Sequence, residues 1–211
     1  MGIENEALTC HSQARQRQAG RGGRGVSTPG AVSMRSIEYD TVSDRYARYL
    51  RDELLPEVYK KYNIRKDGYS RAITGLSSGG ICALNVAWQQ PDQFSRVITW
   101  IGSYTAIQWR QNELDSGQAY PSKVRKEPKR NIRIWIQDGS NDLENGQGSW
   151  PLQAIEMANS FKLREYDFHF RFGRGTHNTS HGSAEFPGRN DLALARLRFR
   201  ENRTDLHHGR K

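Results

Sequence analysis

The sequence has few of the features that mark secreted and membrane proteins. Its 211 residues include two cysteines, Cys10 and Cys82, which are too few for a disulfide framework. No stretch is apolar enough to cross a bilayer. The first residues, MGIENEALTCHSQARQRQ, lack the apolar core of a secretory signal. These absences predict a cytoplasmic protein with no membrane partner.

Apolar residues are also scarce. Hydrophobic residues make up 35% of the chain, and the mean hydropathy is −0.86. Both values are low for a compact enzyme, so we expect part of the chain to lie outside the core. The length favours a single domain, and a segment of about 150 residues can still bury a respectable core.

The chain is basic, with a formal net charge of +9 and a pI of about 9.8, a balance common among nucleic-acid-binding proteins. Residues 1–34 carry a net +2 and residues 188–211 a net +4, which leaves +3 for residues 35–187. Because most of the excess lies at the ends, we expect no specific nucleic-acid partner. Non-specific binding of nucleic acid through the basic ends is one alternative function.

Composition divides the chain into three zones. Residues 1–35 are rich in Gly, Arg, Gln and Ser and lack hydrophobic periodicity, which predicts a disordered segment. Residues 188–211 are polar and basic without a convincing core face, so they are also predicted to be disordered. Residues 36–187 show the alternation of helix and strand patterns that is typical of a folded domain.

Strand and helix patterns alternate through the middle zone. Ser43 is predicted to cap a helix that Pro56 bends or restarts. The predicted strands lie at 69–78, 96–104, 132–140 and 167–172, and the predicted helices at 44–63, 79–90 and 151–165. This alternation favours an α/β fold with three layers, in which a mostly parallel sheet is covered on both faces.

The segment Gly75-Leu76-Ser77-Ser78-Gly79 has the Gly-x-Ser-x-Gly pattern of a nucleophile elbow. In such an elbow a strand turns sharply into a helix, the serine occupies the strained turn, and glycines let strand and helix pack closely. The pattern alone is common in a chain rich in Gly and Ser, but a predicted strand precedes it and a predicted helix follows it. Ser77 is therefore the candidate nucleophile.

A serine hydroxyl needs a base to remove its proton, and that base is usually a histidine held by a carboxylate. In α/β hydrolases the acid and then the histidine follow the serine along the chain. Asp138 and Asp142 come at the end of the third predicted strand, and a pair of histidines, His177 and His181, follows the fourth. Open α/β sheets place their sites at such carboxyl ends of strands.

Within each pair one residue is preferred. Asp142 lies further into its loop and can reach a neighbouring loop, whereas Asp138 could simply cap the turn after its strand. His177 is nearer the end of its strand, and His181 could be an additional donor or a surface residue. A spacing of four between histidines occurs in helical metal sites, but GTHNTSHG is a poor helix sequence. No metal or organic cofactor is expected.

The oxyanion hole of such an enzyme uses the backbone N–H of the residue after the nucleophile, which is Ser78 in this chain. A second N–H comes from a loop after an earlier strand. Upstream of Ser77 the sequence shows no such strand and no HGGG-type loop. We therefore expect one donor to be missing, and the loss of one donor costs roughly 100- to 1000-fold in rate.

Three segments occur in the order EYDTVSDRYARYLRDELLPEVYKKYNIRKD, AITGLSSGGICALNVAWQQPDQFSRVITWIGSYT and IRIWIQDGSNDLENGQGSWPLQAIEMANSFKLREYDFHFRFGRGTHNTSHG. Together they resemble the family named Putative esterase, which includes the enterochelin (enterobactin) esterases, esterase D and feruloyl-esterase domains. The resemblance covers residues 36–187 and implies an α/β-hydrolase fold that acts on carboxylic esters. It places the nucleophile on Ser77, the acid on Asp142 and the base on His177.

The two ends of the chain depart from the family pattern. Family domains carry their first strands before the EYDTVSD segment, and after the segment ending in HG they continue with an apolar helix. One nucleotide string can encode GRNDLALARLRFRE in one frame and the family-like DEMTWLWRDYDFE in the next, which suggests a frameshift near Gly188. We therefore expect a partial α/β-hydrolase domain that lacks its N-terminal strands and its C-terminal helix.

The expected function is that of a serine carboxylic ester hydrolase, which acts on a small-molecule ester through an acyl-enzyme. The alternative is a catalytically inactive remnant, because a sheet without its first strands exposes an unpaired edge and loses part of its core. The identity of the ester and the oligomeric state are left open by the sequence.

Overall fold

The computed structural model describes residues 7–10, 34–109 and 115–185. Its strands are β1 (Ala7–Cys10), β2 (Ala72–Leu76), β3 (Arg96–Trp100), β4 (Arg133–Gly139), β5 (Glu144–Asn145), β6 (Gly148–Ser149) and β7 (Phe168–Gly173). Its helices are α1 (Met34–Asp40), α2 (Arg45–Tyr49), α3 (Leu55–Lys61), α4 (Ser78–Gln89), α5 (Tyr120–Lys126), α6 (Trp150–Leu163) and α7 (Thr179–Glu185).

Five strands form one sheet in the order β1-β2-β3-β4-β7, and every neighbouring pair is parallel. Each strand is added on the same side of the one before it. Because crossovers between parallel strands are almost always right-handed, such a sheet carries its connecting helices on one face. Helices α4, α5 and α6 contribute to the apolar core on that face. The predicted α/β fold with a parallel sheet is confirmed.

Alternation along the strands separates the two faces of the sheet. Val97 and Ile134 point towards the helices and are almost fully buried in the main core. Their neighbours Ile98 and Trp135 point to the opposite face, where they form a smaller apolar cluster with Trp100. The two-residue period of a β-strand therefore decides which side chains of these buried strands meet the helices.

Helix α7 reaches the second face of the sheet. Gly182 lies so close to Trp100 that an added Cβ would come within 2.4 Å of the indole ring. Three layers were predicted, with helices on both faces of the sheet. In the described residues, one face has a full layer of helices and the other face has one short helix.

The first predicted helix forms as two helices, α2 and α3, which are joined by a π-helical turn at Leu50–Leu54. Pro56 lies in the first turn of α3, directly after the π-helical turn, so the hydrogen-bond pattern changes at the predicted place while the chain stays helical. The predicted cap is wrong. Asp44 occupies the N-cap position without a side-chain hydrogen bond, and Ser43 accepts the Asn85 amide with its carbonyl oxygen at 2.6 Å.

Strand β1 lies within the segment that was predicted to be disordered. Ala7 pairs with Ala72 and Cys10 with Gly75, so β1 extends the sheet beyond β2. The expectation that no earlier strand lies upstream of the one that leads into Ser77 is therefore wrong. Four residues are too few to show a strand period, but the outer edge of β2 has backbone groups that need partners, and β1 supplies them.

Other elements also lacked a sequence signal. Helix α1 begins inside the same predicted coil, and α5, the β5–β6 hairpin and α7 were not predicted. The rest of residues 1–33, and the tail at 188–211 with its suggested frameshift, lie outside the described residues, so those assignments stay predictions. Within the described ranges, no helix combines the length and the apolar character needed to cross a membrane.

Gly75 marks the closest approach of β2 to α4. A Cβ at this position would lie 2.0 Å from the carbonyl oxygen of Gly79, a backbone atom that cannot rotate away. We therefore expect Gly75→Ala to lower the free energy of unfolding by about 3 kcal/mol. The midpoint of urea unfolding measures this loss.

Gly146 provides the matched control, because a Cβ there would meet nothing within 4 Å. Gly146→Ala should change the free energy of unfolding by less than about 0.5 kcal/mol. A Gly75→Ala protein as stable as Gly146→Ala would contradict the close packing of strand and helix at the Ser77 turn.

Candidate active site

The carboxyl ends of three strands bring the preferred candidate residues together. Ser77 follows β2 directly, Asp142 lies in the loop after β4, and His177 lies in the loop after β7. Because the strands are parallel, these loops meet at one edge of the sheet. Side chains that are far apart in the sequence thereby come within hydrogen-bond distance of one another.

Ser77 occupies the turn between β2 and α4 with φ 56° and ψ −120°. A positive φ is unfavourable for a residue with a Cβ, and such backbone strain costs of order 1–3 kcal/mol. Backbone hydrogen bonds hold the turn. The Ser77 N–H donates to the Trp100 carbonyl at 3.0 Å, and the Ser77 carbonyl accepts the Gly80 N–H at 2.8 Å. The predicted elbow conformation is therefore present at this position.

The loop after β3 supplies a neighbour of Ser77 that the sequence argument missed. The chain turns at Ile101, which has φ 43°. The Ser103 N–H then donates to the Ser77 carbonyl at 3.1 Å, and the two Oγ atoms are 3.2 Å apart. The Ser103 hydroxyl oxygen accepts the indole N–H of Trp150 at 3.2 Å. Its own hydrogen can therefore be donated to Ser77 Oγ.

Ser77, His177 and Asp142 form a continuous chain of hydrogen bonds. The Ser77 hydroxyl donates to His177 Nε2 at 2.9 Å, and a proton on His177 Nδ1 is donated to Asp142 Oδ1 at 2.5 Å. The Trp150 ring packs edge-on against the half-buried imidazole, with 5.8 Å between ring centroids. The imidazole is thus held in the orientation that a general base for a serine hydroxyl requires.

Asp142 is buried, yet its pKa lies below the usual range for a carboxyl group. Burial alone would raise this pKa, but the hydrogen bond from His177, the neighbouring Asp138 carboxyl group and the Leu143 N–H at 2.6 Å outweigh burial and lower it. Asp142 therefore carries a negative charge at neutral pH. That charge can stabilise a positive charge on His177 when the imidazole takes up a proton.

The less favoured candidates occupy different places. Asp138 is fully buried in β4, and its carboxyl accepts the Gly139 N–H at 2.7 Å. His181 lies in α7, where its Nδ1 accepts the Gln137 amide at 2.9 Å. No group of three or more His, Cys, Asp or Glu side chains in the described part of the chain is placed to hold a metal ion.

Ser78 is the first residue of α4, so its N–H is one of the helix-end donors that lack an intrahelical partner. The positive end of the helix dipole lies at the same point. The Ser78 side chain lies beside the buried carboxyl of Asp40 at the end of α1. Cys10 at the end of β1 pairs with Gly75 beside this turn. In α/β hydrolases the second donor lies in a loop after an earlier strand. The segment after β1 lies outside the described residues, so the expectation that this donor is missing stays a prediction.

Ser103 and Trp150 are the site contacts that sequence reasoning missed. Ser103 lies just past a strand end, where open α/β sheets carry polar site residues, so its position was a usable signal. Trp150 begins α6, and nothing in the sequence distinguishes it from an aromatic residue of the core.

A family model described as "Putative esterase" matches residues 25–190 of the chain. Similar solved structures include a ferulic acid esterase, which is 21% identical with a TM-score of 0.53 over 66% of this chain and 56% of that chain. The enterobactin esterase of Shigella flexneri is 17% identical with a TM-score of 0.55 over 71% of this chain and 38% of its own. The S-formylglutathione hydrolase of Staphylococcus aureus is 17% identical with a TM-score of 0.51 over 72% and 65%.

At these identities the likeness establishes the fold, which is that of the α/β-hydrolase esterases. The chain spans less than two thirds of the length of each of these three structures. A search of curated protein sequences gave no match.

The positive φ of Ser77 predicts an unusual order of stability among substitutions. Glycine adopts such a conformation without strain, whereas alanine keeps the Cβ that causes it. Ser77→Gly should therefore be more stable than Ser77→Ala by about 1 to 2 kcal/mol, although both variants lose the hydroxyl. Urea unfolding of the two purified variants measures the difference.

Ser103 provides the matched control, because its φ is not positive. Glycine there relieves no strain and adds entropy to the unfolded chain, so Ser103→Gly should be less stable than Ser103→Ala by about 0.5 to 1 kcal/mol. The same order of stability at both positions would contradict the strained turn at Ser77.

Proposed function

The chain belongs to the Putative esterase family, and we propose that it is a serine hydrolase that cleaves a small-molecule carboxylic ester through an acyl-enzyme. Ser77 is the nucleophile, and His177 is the general base and then the general acid. Asp142 orients the imidazole and stabilises its positive charge once it is protonated. The observation that carries this proposal is the unbroken hydrogen-bond chain from Ser77 Oγ through His177 to Asp142.

In the first half-reaction, Ser77 Oγ attacks the ester carbonyl carbon while His177 Nε2 takes up the hydroxyl proton. The imidazolium that forms faces the Asp142 carboxylate, which stabilises the new positive charge. The carbonyl oxygen becomes an oxyanion, and the Ser78 N–H at the start of α4 is available to donate to it.

The tetrahedral adduct then collapses, and the bond between the acyl carbon and the ester oxygen breaks. His177 gives its proton to the departing oxygen, so the alcohol leaves and the acyl group stays on Ser77. Water then loses a proton to His177 and attacks the acyl carbon. The bond between the acyl carbon and Ser77 Oγ breaks, His177 returns the proton to Ser77 Oγ, and the carboxylic acid is released. These steps use side chains and backbone groups of this chain together with water, and they require no metal or organic cofactor.

The names of the similar structures support this reaction class, since they are those of esterases and of a hydrolase. The order of serine, acid and histidine along the chain supports it as well, because it is the order found in α/β hydrolases.

A fluorophosphonate probe tests the nucleophile, because it reacts with serine hydroxyls that a histidine activates. We expect the wild-type protein to be labelled and Ser77→Ala to remain unlabelled. His177→Ala and Asp142→Ala should be labelled at least about 1000-fold more slowly, since each breaks the chain that activates Ser77. The measurement is the rate of fluorescent labelling.

Ser122, which is exposed on α5, provides the matched control. Ser122→Ala should be labelled at the wild-type rate. Equal labelling of wild type and Ser77→Ala would refute Ser77 as the nucleophile, and a wild-type protein that does not react would refute catalytic activity of this chain.

Ser103 is placed to donate to Ser77 Oγ while negative charge develops there. A hydrogen bond to a charged group contributes about 1.5–3 kcal/mol. Ser103→Ala should therefore lower kcat/KM for hydrolysis of p-nitrophenyl acetate by roughly 10- to 100-fold.

Trp150→Phe separates this hydrogen bond from packing, because it keeps an aromatic ring beside His177 and removes only the N–H that Ser103 accepts. It should lower kcat/KM by no more than about fivefold, since the Ser103 hydroxyl remains. Wild-type kcat/KM in Ser103→Ala would exclude Ser103 from the mechanism.

A further inference from the structure

We propose that Asp138 is a positioning residue that retains a proton and donates it in a hydrogen bond to the second carboxylate oxygen of Asp142. The inference rests on the proposed function, in which Asp142 is the acid that holds the catalytic imidazole. Asp138 would then be the fourth member of the hydrogen-bond chain that begins at Ser77. The chain would be intact only at pH values at which Asp138 keeps its proton.

The two carboxyl groups leave complementary atoms without partners. Asp142 Oδ1 accepts N–H groups from both His177 and Leu143, and Asp138 Oδ1 accepts the Gly139 N–H. The remaining oxygen of each group, Oδ2, is buried with no donor among the described residues. The two side chains are within hydrogen-bonding reach of each other. One proton on Asp138 satisfies both oxygens, whereas two carboxylates would leave both unsatisfied.

The surroundings offer no positive charge that could stabilise a second anion. No lysine or arginine in the described ranges forms an ion pair with Asp138 or Asp142, and His177 is the one side chain that does. The other titratable group that faces Asp138 is Tyr104, from the loop after β3. Tyr104 is fully buried, its pKa is raised by burial, and its hydroxyl donates to Thr99 at 2.7 Å. An ionised Asp138 would therefore be an unpaired buried charge.

The pKa values of the pair diverge in agreement with this geometry. Burial, and then the hydrogen bond with Asp142, raise the pKa of Asp138 to about 8. The donors around Asp142 lower its pKa despite burial. At neutral pH the pair thus carries one proton and one negative charge, and the charge lies on the residue that faces His177.

Loss of the Asp138 proton changes the site directly. The hydrogen bond that fixes Asp142 Oδ2 is replaced by repulsion between two carboxylates, so the Asp142 carboxylate is no longer held against His177. The rate therefore falls as pH rises through the pKa of Asp138.

Stability should change with pH in the same direction. A carboxyl whose pKa is higher in the folded than in the unfolded chain binds a proton on folding, between the unfolded value of 3.8 and the folded value of about 8. Its contribution to stability is complete below the unfolded pKa and is lost as pH rises through the folded pKa. An uncharged isostere at position 138 would not show this loss.

Asp138→Asn and Asp138→Ala separate the proposed hydrogen bond from the charge. The asparagine oxygen can accept the Gly139 N–H and its amide can donate to Asp142, and the amide does not titrate. With p-nitrophenyl acetate, we expect wild-type kcat/KM to fall above about pH 8, at the pKa of Asp138. Asp138→Asn should keep kcat at pH 7 within about threefold of wild type and lack this fall, whereas Asp138→Ala should lose roughly tenfold or more in kcat with little change in KM.

An infrared difference spectrum between wild type and Asp138→Asn at neutral pH tests the proton without any activity. The carbonyl band of a protonated carboxylic acid should be present in the wild type and absent in the variant. Circular dichroism melts should show that Asp138→Asn gains stability relative to wild type as pH rises from about 6 to about 8. They also show whether Asp138→Ala folds.

The inference is overturned if the acid band is missing, or if Asp138→Asn shows the same alkaline fall in kcat/KM as wild type. If both variants fold and have equal kcat at pH 7, the proposed hydrogen bond from position 138 to Asp142 contributes nothing to catalysis, and the inference fails. The two failures can be told apart. If the proposed function is wrong, the fluorophosphonate probe will not label the wild-type protein, but the infrared acid band will still report whether Asp138 carries a proton.

Discussion

The turn at Ser77 holds a residue with a Cβ at φ 56°, a backbone angle that persists only where the surrounding structure imposes it. Gly75 allows the turn because its missing side chain leaves room for the backbone of Gly79. Backbone hydrogen bonds then tie Ser77 to the end of β3 and to the first turn of α4. This local constraint determines the position of Ser77 Oγ. The other groups of the site can contact Ser77 only because its Oγ is held there.

The parallel sheet brings the other site residues close to the Ser77 turn. Every strand that carries a site residue runs in the same direction, so the loops after β2, β3, β4 and β7 open at one edge. The loop after β3 turns sharply at Ile101 and brings Ser103 against Ser77, while Trp150 contacts both Ser103 and His177. The nucleophile is thus held from two sides, by a hydroxyl and by an imidazole.

Charge is the second organising feature of the site. Asp142 is buried and ionised because N–H donors and an imidazole surround it, whereas Asp138 is buried without such donors on its second oxygen. A site with one negative charge behind the histidine is less costly to bury than a site with two. The same arrangement stabilises His177 when the imidazole becomes charged.

Much of the fold followed from local pattern. Strands β3, β4 and β7 and helices α4 and α6 lie where apolar periodicity predicted them, with boundaries shifted by a few residues. Strand β3 ends earlier than predicted because Ile101 has φ 43°, an angle that is rare for a β-branched residue and that no sequence rule anticipates. Strand β1 was missed because Ala7–Cys10 is extended through its pairing with β2, which local pattern does not contain.

By itself, the sequence determined the parallel α/β class and a serine, acid and histidine order around Ser77, because these depend on residue type and local periodicity. Only the tertiary structure decided that Ser103 and Trp150 join the site, since contacts between distant residues depend on how the strands align in the sheet. It also decided that Asp138 at the end of β4 and Asp142 in the loop after it have pKa values shifted in opposite directions. The physical reason is that burial acts on both carboxyl groups, while the hydrogen-bond donors that offset it gather around one.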